Sequence, residues 1–306
     1  MSNPTGLIDG LTHPIHCRDL PKSLARFNPL ELATRLSRRT LQDVEAPLSR
    51  TPNSCLRAEQ FVLQLAEEAL QNRAVRHPYL QAISSSSLPN MRWALADFAR
   101  QYYGYSAHFP RYLTTVISRL ENASHRQSLF ENLTEESGVY ADDELHELRA
   151  IGVEPSWIQG IPHPRLFQRF ATALDVDVNK DEASEEVVCW RELFLQLLSN
   201  GSPAEAIGAM GFGTEYIVRT LYGYFVKALE DFEELTLEET VFFKLHVAVD
   251  DHHQAALQAI AVDFASSREG RAGLRRGMLK ALMLSNSFWD WMYERALQPA
   301  QAKEAL

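Results

Sequence analysis

The sequence predicts an all-α protein, and three observations carry that prediction. Apolar residues recur at steps of three and four along most of the chain after residue 57. No segment sustains the strict alternation of a half-buried strand. Neither a repeat of roughly 20 to 50 residues nor a glycine-rich phosphate loop is present. A chain of 306 residues with 45% hydrophobic content can bury a large core around such helices.

Taken in order, residues 1–57 are rich in Pro, Ser, Thr and Asn around one short apolar-periodic piece at 29–41. They read as an N-terminal extension that either packs on the main body or is partly mobile, followed by one domain over 58–306. AEQFVLQLAEEALQNRA opens the helical pattern, and HPYLQAISSSSLP breaks it. Asn90 is placed to cap a long helix, MRWALADFARQYYGYSAHF, whose Trp93, Leu95, Phe98, Tyr102 and Tyr105 form a bulky apolar face. Pro110 kinks or ends it.

Helices follow at 111–120 and 126–133. TEESGVYADDELHELRAIGVEP then reads as one element stopped by Gly152 and Pro155. Further helices are expected at 165–173, 183–198 and 203–210, and Gly211 and Gly213 punctuate the chain before GTEYIVRTLYGYFVKALEDF. Thr236 and Glu239 form a capping box that starts the next helix near Leu237. A last helix covers 271–297, with Trp289 and Trp291 stapling it to the bundle.

A formal charge of −10, with no basic run longer than the pairs Arg38–Arg39 and Arg275–Arg276, argues against a nucleic-acid partner. Cys17, Cys55 and Cys189 are odd in number and widely spaced, which suits a reducing compartment. The first residues lack a signal-peptide pattern, and no apolar run approaches the ~20 residues that span a bilayer. A soluble, cytoplasmic protein is expected.

The chemistry concentrates in FFKLHVAVDDHHQAAL. At about 100° per residue, Asp250 and His253 fall roughly 40° and 20° from His246, so the three share one face of a helix whose neighbours are apolar. Buried imidazoles and a carboxylate in that setting need mutual compensation or a metal. One helix cannot surround two metals, so a dinuclear iron or manganese site needs ligands from facing helices. Glu215, on the preceding helix, is a bridging candidate. Glu136 and His146 supply another pair. Ten residues on an ideal helix leave them about 80° apart, whereas Glu135, at eleven, would lie about 20° from His146. His13, His16 and His163 sit beside prolines in irregular stretches and are not taken as ligands. Tyr102, Tyr103, Tyr105 and Phe109 are read as core packing.

The pieces HPYLQAI, FARQYYGYSAHFP, ENLTEESG with His146, AIGAMGFGTE and FFKLHVAVDDHH, in this order, resemble the heme-oxygenase-like diiron oxidases and oxygenases over 58–297. The resemblance implies a bundle of about seven core helices. It also implies two Fe(II) ions held by Glu136, His146, Glu215, His246, Asp250 and His253, with O2 as cosubstrate. It favours Glu136 over Glu135, because the family's Glu directly precedes a small-residue and Gly step. No Asp or Glu stands between Asp97 and Glu121, where nitrogen-oxygenating members often carry a further carboxylate. This departure points to C–H oxidation, namely desaturation, cyclisation or oxidative C–C cleavage, in specialised biosynthesis. The implied substrate is a small amino acid or similar amine or acid, with Arg219 or Lys244 available for its carboxylate; a homodimer is the default expectation for the assembly. The alternatives are N-oxygenation or a metal-free, thiaminase-like protein; the latter would need a nucleophilic cysteine, for which Cys189 is the helical candidate.

Overall fold

The computed structural model describes residues 58–181 and 183–298, without the side chains of 249–253. The extension 1–57, with its piece at 29–41, lies outside the described residues. Among the described residues the regular elements are all helical, and no helix is long and apolar enough to cross a membrane.

The elements are α1 (Ala58–Gln71), α2 (Pro78–Ser84), α3 (Met91–Ser106), α4 (Phe109–Ile117), α5 (Ala123–Glu136), α6 (Asp142–Ala150) and the short α7 (Pro155–Ile158). After them come α8 (His163–Ala173), α9 (Glu185–Asn200), α10 (Pro203–Ile207), a π-helical segment (Gly208–Glu215), α11 (Tyr216–Glu230), α12 (Val241–Phe264) and α13 (Arg268–Ala296). Asn90 caps α3 as expected, its Oδ1 accepting from the Trp93 N–H at 3.0 Å. Pro110 sits in the first turn of α4, where its missing N–H removes no helical bond. The face of α3 enters an aromatic core in which Phe98 stacks on Phe225 at 4.2 Å and Tyr105 on Trp190 at 3.8 Å.

Three elements differ from the sequence reading. HPYLQAI does not break the pattern; it forms α2, capped by His77, whose Nδ1 accepts from the Tyr79 N–H at 3.1 Å. The Thr236–Glu239 box forms, with the Thr236 N–H donating to Glu239 Oε2 at 2.7 Å, but it closes a turn, and α12 starts at Val241. The expected single element over 134–155 is two helices. Gly138, at φ +83°, ends α5 in a Schellman motif: its N–H reaches the Glu135 carbonyl at 2.8 Å and the Val139 N–H reaches Thr134 at 3.3 Å. A β-carbon at Gly138 would stand 2.4 Å from the Ile161 carbonyl oxygen, so only glycine fits.

Nor do Gly211 and Gly213 interrupt the chain. α10, the π segment and α11 run on from one another through residues 203–230, with the Tyr216 N–H reaching back five residues to the Gly211 carbonyl. Gly208, Gly213 and Gly277 let this rod lie against α13. A β-carbon at Gly208 would come within 2.0 Å of the Leu274 carbonyl oxygen, and one at Gly277 within 1.9 Å of that of Glu205.

Polar ties fix α13 to three neighbours. Asp97 of α3 takes two hydrogen bonds from Arg295, at 2.7 and 2.8 Å. Asp290 receives Arg73 at 2.6 Å and lies 3.0 Å from Nε2 of the buried His77. Glu205 of α10 accepts from Lys280 at 3.0 Å and from the Ser202 N–H at 3.0 Å. Burial alone would raise the Glu205 pKa, but the Ser202 N–H, Lys280 and Arg276 together hold it at about 2.

Two outcomes are expected from this packing. Gly277→Val forces the rods apart and should cost about 1–3 kcal/mol, seen as a thermal midpoint lower by roughly 2–4 °C per kcal/mol. Because the folded pKa of Glu205 lies below its unfolded value, its contribution is complete above about pH 4.5 and fades as pH falls toward 2. Urea unfolding should therefore show Glu205→Gln to be less stable than wild type by about 1–3 kcal/mol at pH 7, with the gap narrowing at pH 3.

Candidate metal centre

Three helices deliver one carboxylate and two imidazoles to a common point. Glu136 occupies the last turn of α5, placed there by the Gly138 stop. His163 opens α8, and His246 lies in the first half of α12. One ligand atom from each lies within 4.8 Å of the others. Glu136 and His163 are each 5% exposed, and the His163 and His246 rings meet edge to face at 4.7 Å.

Hydrogen bonds orient both rings. His246 Nδ1 lies 2.7 Å from the carbonyl of Phe242, one turn earlier; donating there, it leaves the Nε2 lone pair for the cavity. His163 Nε2 lies 2.6 Å from the Tyr140 hydroxyl, which burial keeps protonated. With Nε2–H donating to that oxygen, Nδ1 carries the lone pair. Nδ1 stands 3.1 Å from Glu136 Oε1 yet, although buried, makes no hydrogen bond, because the two atoms are close but misaligned. In that tautomer two electron-rich atoms face each other in a buried site and fit a shared cation. The donor set, one carboxylate oxygen and two borderline imidazole nitrogens, suits iron, manganese or zinc.

Glu215 ends the π segment, is 5% exposed, and lines the same cavity of about 40 Å³ as Glu136, His163 and His246. Each residue added to a helical turn rotates the downstream chain by about 100°, so the π segment helps decide that Glu215 faces the cavity. Much of the remaining lining is aromatic: Tyr102, Tyr105, Phe109, Phe167, Tyr222 and Phe242. Tyr102 and Tyr222 join their hydroxyls at 3.0 Å. Burial drives the Tyr102 pKa up, the bond to Tyr222 opposes that and the Glu215 charge adds to it, leaving it at about 12.

Of the residues singled out in the sequence, Glu136, Glu215 and His246 therefore line one cavity, and Glu136 rather than Glu135 is the one that enters it. His146 does not join them. It is exposed on α6, because Gly138 ends the helix it was expected to share with Glu136. His163 occupies that place instead. It sits beside prolines, but Pro164 falls in the first turn of an amphipathic helix, a start signal that sets His163 at an ordered N-terminus. Asp250 and His253 belong to α12, and their side chains lie outside the described residues. Arg219 is exposed and Lys244 lies beside Gly152; neither lines the cavity, nor does Cys189.

Residues 96–286 match the family described as iron-containing redox enzyme. The chain belongs to that family. Membership in the iron-containing redox enzyme family agrees with the donor chemistry found at Glu136, His163 and His246.

Solved structures locate the fold of this family member. It is similar to a domain of unknown function with a heme oxygenase-like fold from Shewanella denitrificans, at 16% identity and TM-score 0.55, covering 78% of this chain and 90% of that one. A TenA homolog from Pseudomonas syringae pv. tomato matches at 16% identity and TM-score 0.57, over 77% and 92% of the two chains. A CADD-like protein of unknown function from Nostoc punctiforme matches at 18% and 0.62, over 79% and 99%. At these identities the likeness speaks for the fold alone, which is heme-oxygenase-like. No curated protein matches the chain.

The two histidines separate in one experiment. After anaerobic Fe(II) reconstitution, His163→Ala should lower the iron bound per chain while His146→Ala leaves it at the wild-type value. Tyr140→Phe should weaken iron affinity by about 10–100-fold, read by chelator competition.

Proposed function

We propose that this iron-containing redox enzyme family member is a non-heme diiron oxidase or oxygenase that uses O2 to oxidise a C–H bond of a small organic substrate. The observation that carries the reading is the convergence of Glu136, His163, His246 and Glu215 on one buried cavity. Glu136, His163 and His246 would hold one iron. Glu215, with Asp250 and His253 at one and two helical turns beyond His246, would supply the second position. Iron bound there would supply the redox chemistry toward O2 that none of the side chains can perform.

The chain's own residues set the conditions for that chemistry. Tyr140 and the Phe242 carbonyl fix the imidazoles, so the ligand nitrogens meet the metal with little reorganisation. The aromatic wall limits the water that can reach the site, which would protect reactive chemistry from side reactions. The Tyr102 and Tyr222 hydroxyls face each other beside Glu215, and at neutral pH Tyr102 keeps its proton and can donate it in a hydrogen bond. The α3 wall contributes Tyr102, Tyr105 and Ser106, with no carboxylate, which supports carbon over nitrogen oxidation. No cysteine is found among the described residues lining the cavity, which leaves a thiaminase-type nucleophile without a candidate there.

Protein purified without oxygen and reconstituted with Fe(II) should bind close to two irons per chain and consume O2. His246→Ala should lose both properties while keeping its helical circular dichroism. If the wild-type chain binds no iron under any reconstitution condition, the proposal fails.

A further inference from the structure

We infer that the part of the cavity walled by Ser106, Phe109, Phe167 and Val218 binds the substrate. We further infer that this substrate is a compact, uncharged molecule with an apolar body and one hydrogen-bonding group, rather than an amino acid. The inference rests on the oxidase reading for the reaction performed, but its physical basis is the wall itself.

The first observation is a hydroxyl with nothing to bond. Ser106 ends α3, lines the cavity, and its Oγ is buried without a hydrogen-bond partner. Ser85 and Ser199, near the C-terminal ends of their helices, bond back to the carbonyl one turn earlier, Ser85 to Gln81 at 2.8 Å and Ser199 to Leu195 at 2.7 Å. Ser106 does not, so its donor and acceptor capacity stays directed at whatever enters. A buried hydroxyl left unsatisfied costs free energy that a bound polar group recovers.

Charge supplies the second. Among the described residues lining the cavity there is no lysine or arginine, and the two cations suggested by the sequence, Arg219 and Lys244, are elsewhere. An amino acid held against Ser106, Phe109, Phe167 and Val218 rather than on the metal would find no lysine or arginine there for its carboxylate, with Glu136 and Glu215 in the same cavity. A charge buried without a partner is strongly disfavoured, whereas one neutral hydrogen-bonding group matches one waiting hydroxyl.

Size and access agree. A cavity of about 40 Å³ takes about three water molecules, which sets the scale at a few heavy atoms before any side chain moves. Ser106, Phe109 and Pro164 line it while keeping partial exposure, so an entering molecule meets this hydroxyl near the α3–α4 and α8 edge.

Three four-carbon probes test the inference: butanamide, butanoate and 2-aminobutanoate. Each is titrated into the protein, metal-free and Fe(II)-loaded under nitrogen, while following the fluorescence of the tryptophans; Trp190 stacks on Tyr105 of the cavity wall. The expected result is saturable binding of butanamide in preference to both charged probes. Ser106→Ala should weaken butanamide by about 3–10-fold, with wild-type iron uptake and an unlowered thermal midpoint. Tighter binding of either charged probe, unchanged butanamide affinity in Ser106→Ala, or no saturable butanamide binding overturns it. Iron uptake on the same samples keeps the outcomes apart: loss of iron binding sinks the oxidase reading, and a charged-probe preference with iron retained sinks only this one.

Discussion

The constraint on which the structure turns is the burial of a carboxylate against two imidazoles in an otherwise apolar interior. Polar groups removed from water must find partners, and Nδ1 of His163 faces Glu136 at close range without a hydrogen bond. A protein could relieve that conflict by opening the site to solvent. This one closes it with aromatic rings and fixes each ring nitrogen from behind, through Tyr140 and the Phe242 carbonyl. Such an arrangement is costly as a core and well suited to a metal centre, which is the sense in which family membership and geometry agree.

The scaffold's part is to bring four helical segments to one point with little slack. Gly208 and Gly277 let the rod carrying Glu215 lie against α13 at backbone contact, and a larger residue at either would displace it. The π-helical segment ending at Glu215 begins at Gly208, one of these close contacts. Segments of this kind are rare and cluster at functional sites, and here the segment presents a buried carboxylate to the cavity. The ion pairs of Glu205, Asp97 and Asp290 grip α13 away from the cavity, so rigidity and chemistry occupy different surfaces of the same bundle.

Much of this was legible before any coordinates. The helices around Asn90, Pro110 and Phe243 announced themselves through caps, proline placement and apolar spacing, all local properties. His246 and Glu215 were recognisable because an imidazole or carboxylate embedded in apolar sequence stands out, whereas Glu136, in the polar run TEES, was favoured over Glu135 by the family resemblance alone. The 134–155 reading failed at Gly138. A glycine within a helical pattern can be tolerated or can stop the helix, and the stop here was decided by the Ile161 carbonyl, 23 residues away, which leaves no room for a side chain. That break carried His146 to the surface and made room for His163.

By itself, then, the sequence determined an all-helical chain with acidic and imidazole groups on apolar faces, because periodicity and capping depend on neighbours within a turn or two. Tertiary structure alone decided that His163 rather than His146 stands beside Glu136, that 203–230 continues through its glycines as a π-bearing rod, and that no described cation lines the cavity. These outcomes depend on which atoms of distant segments compete for the same space, and spacing along a single chain carries no record of that.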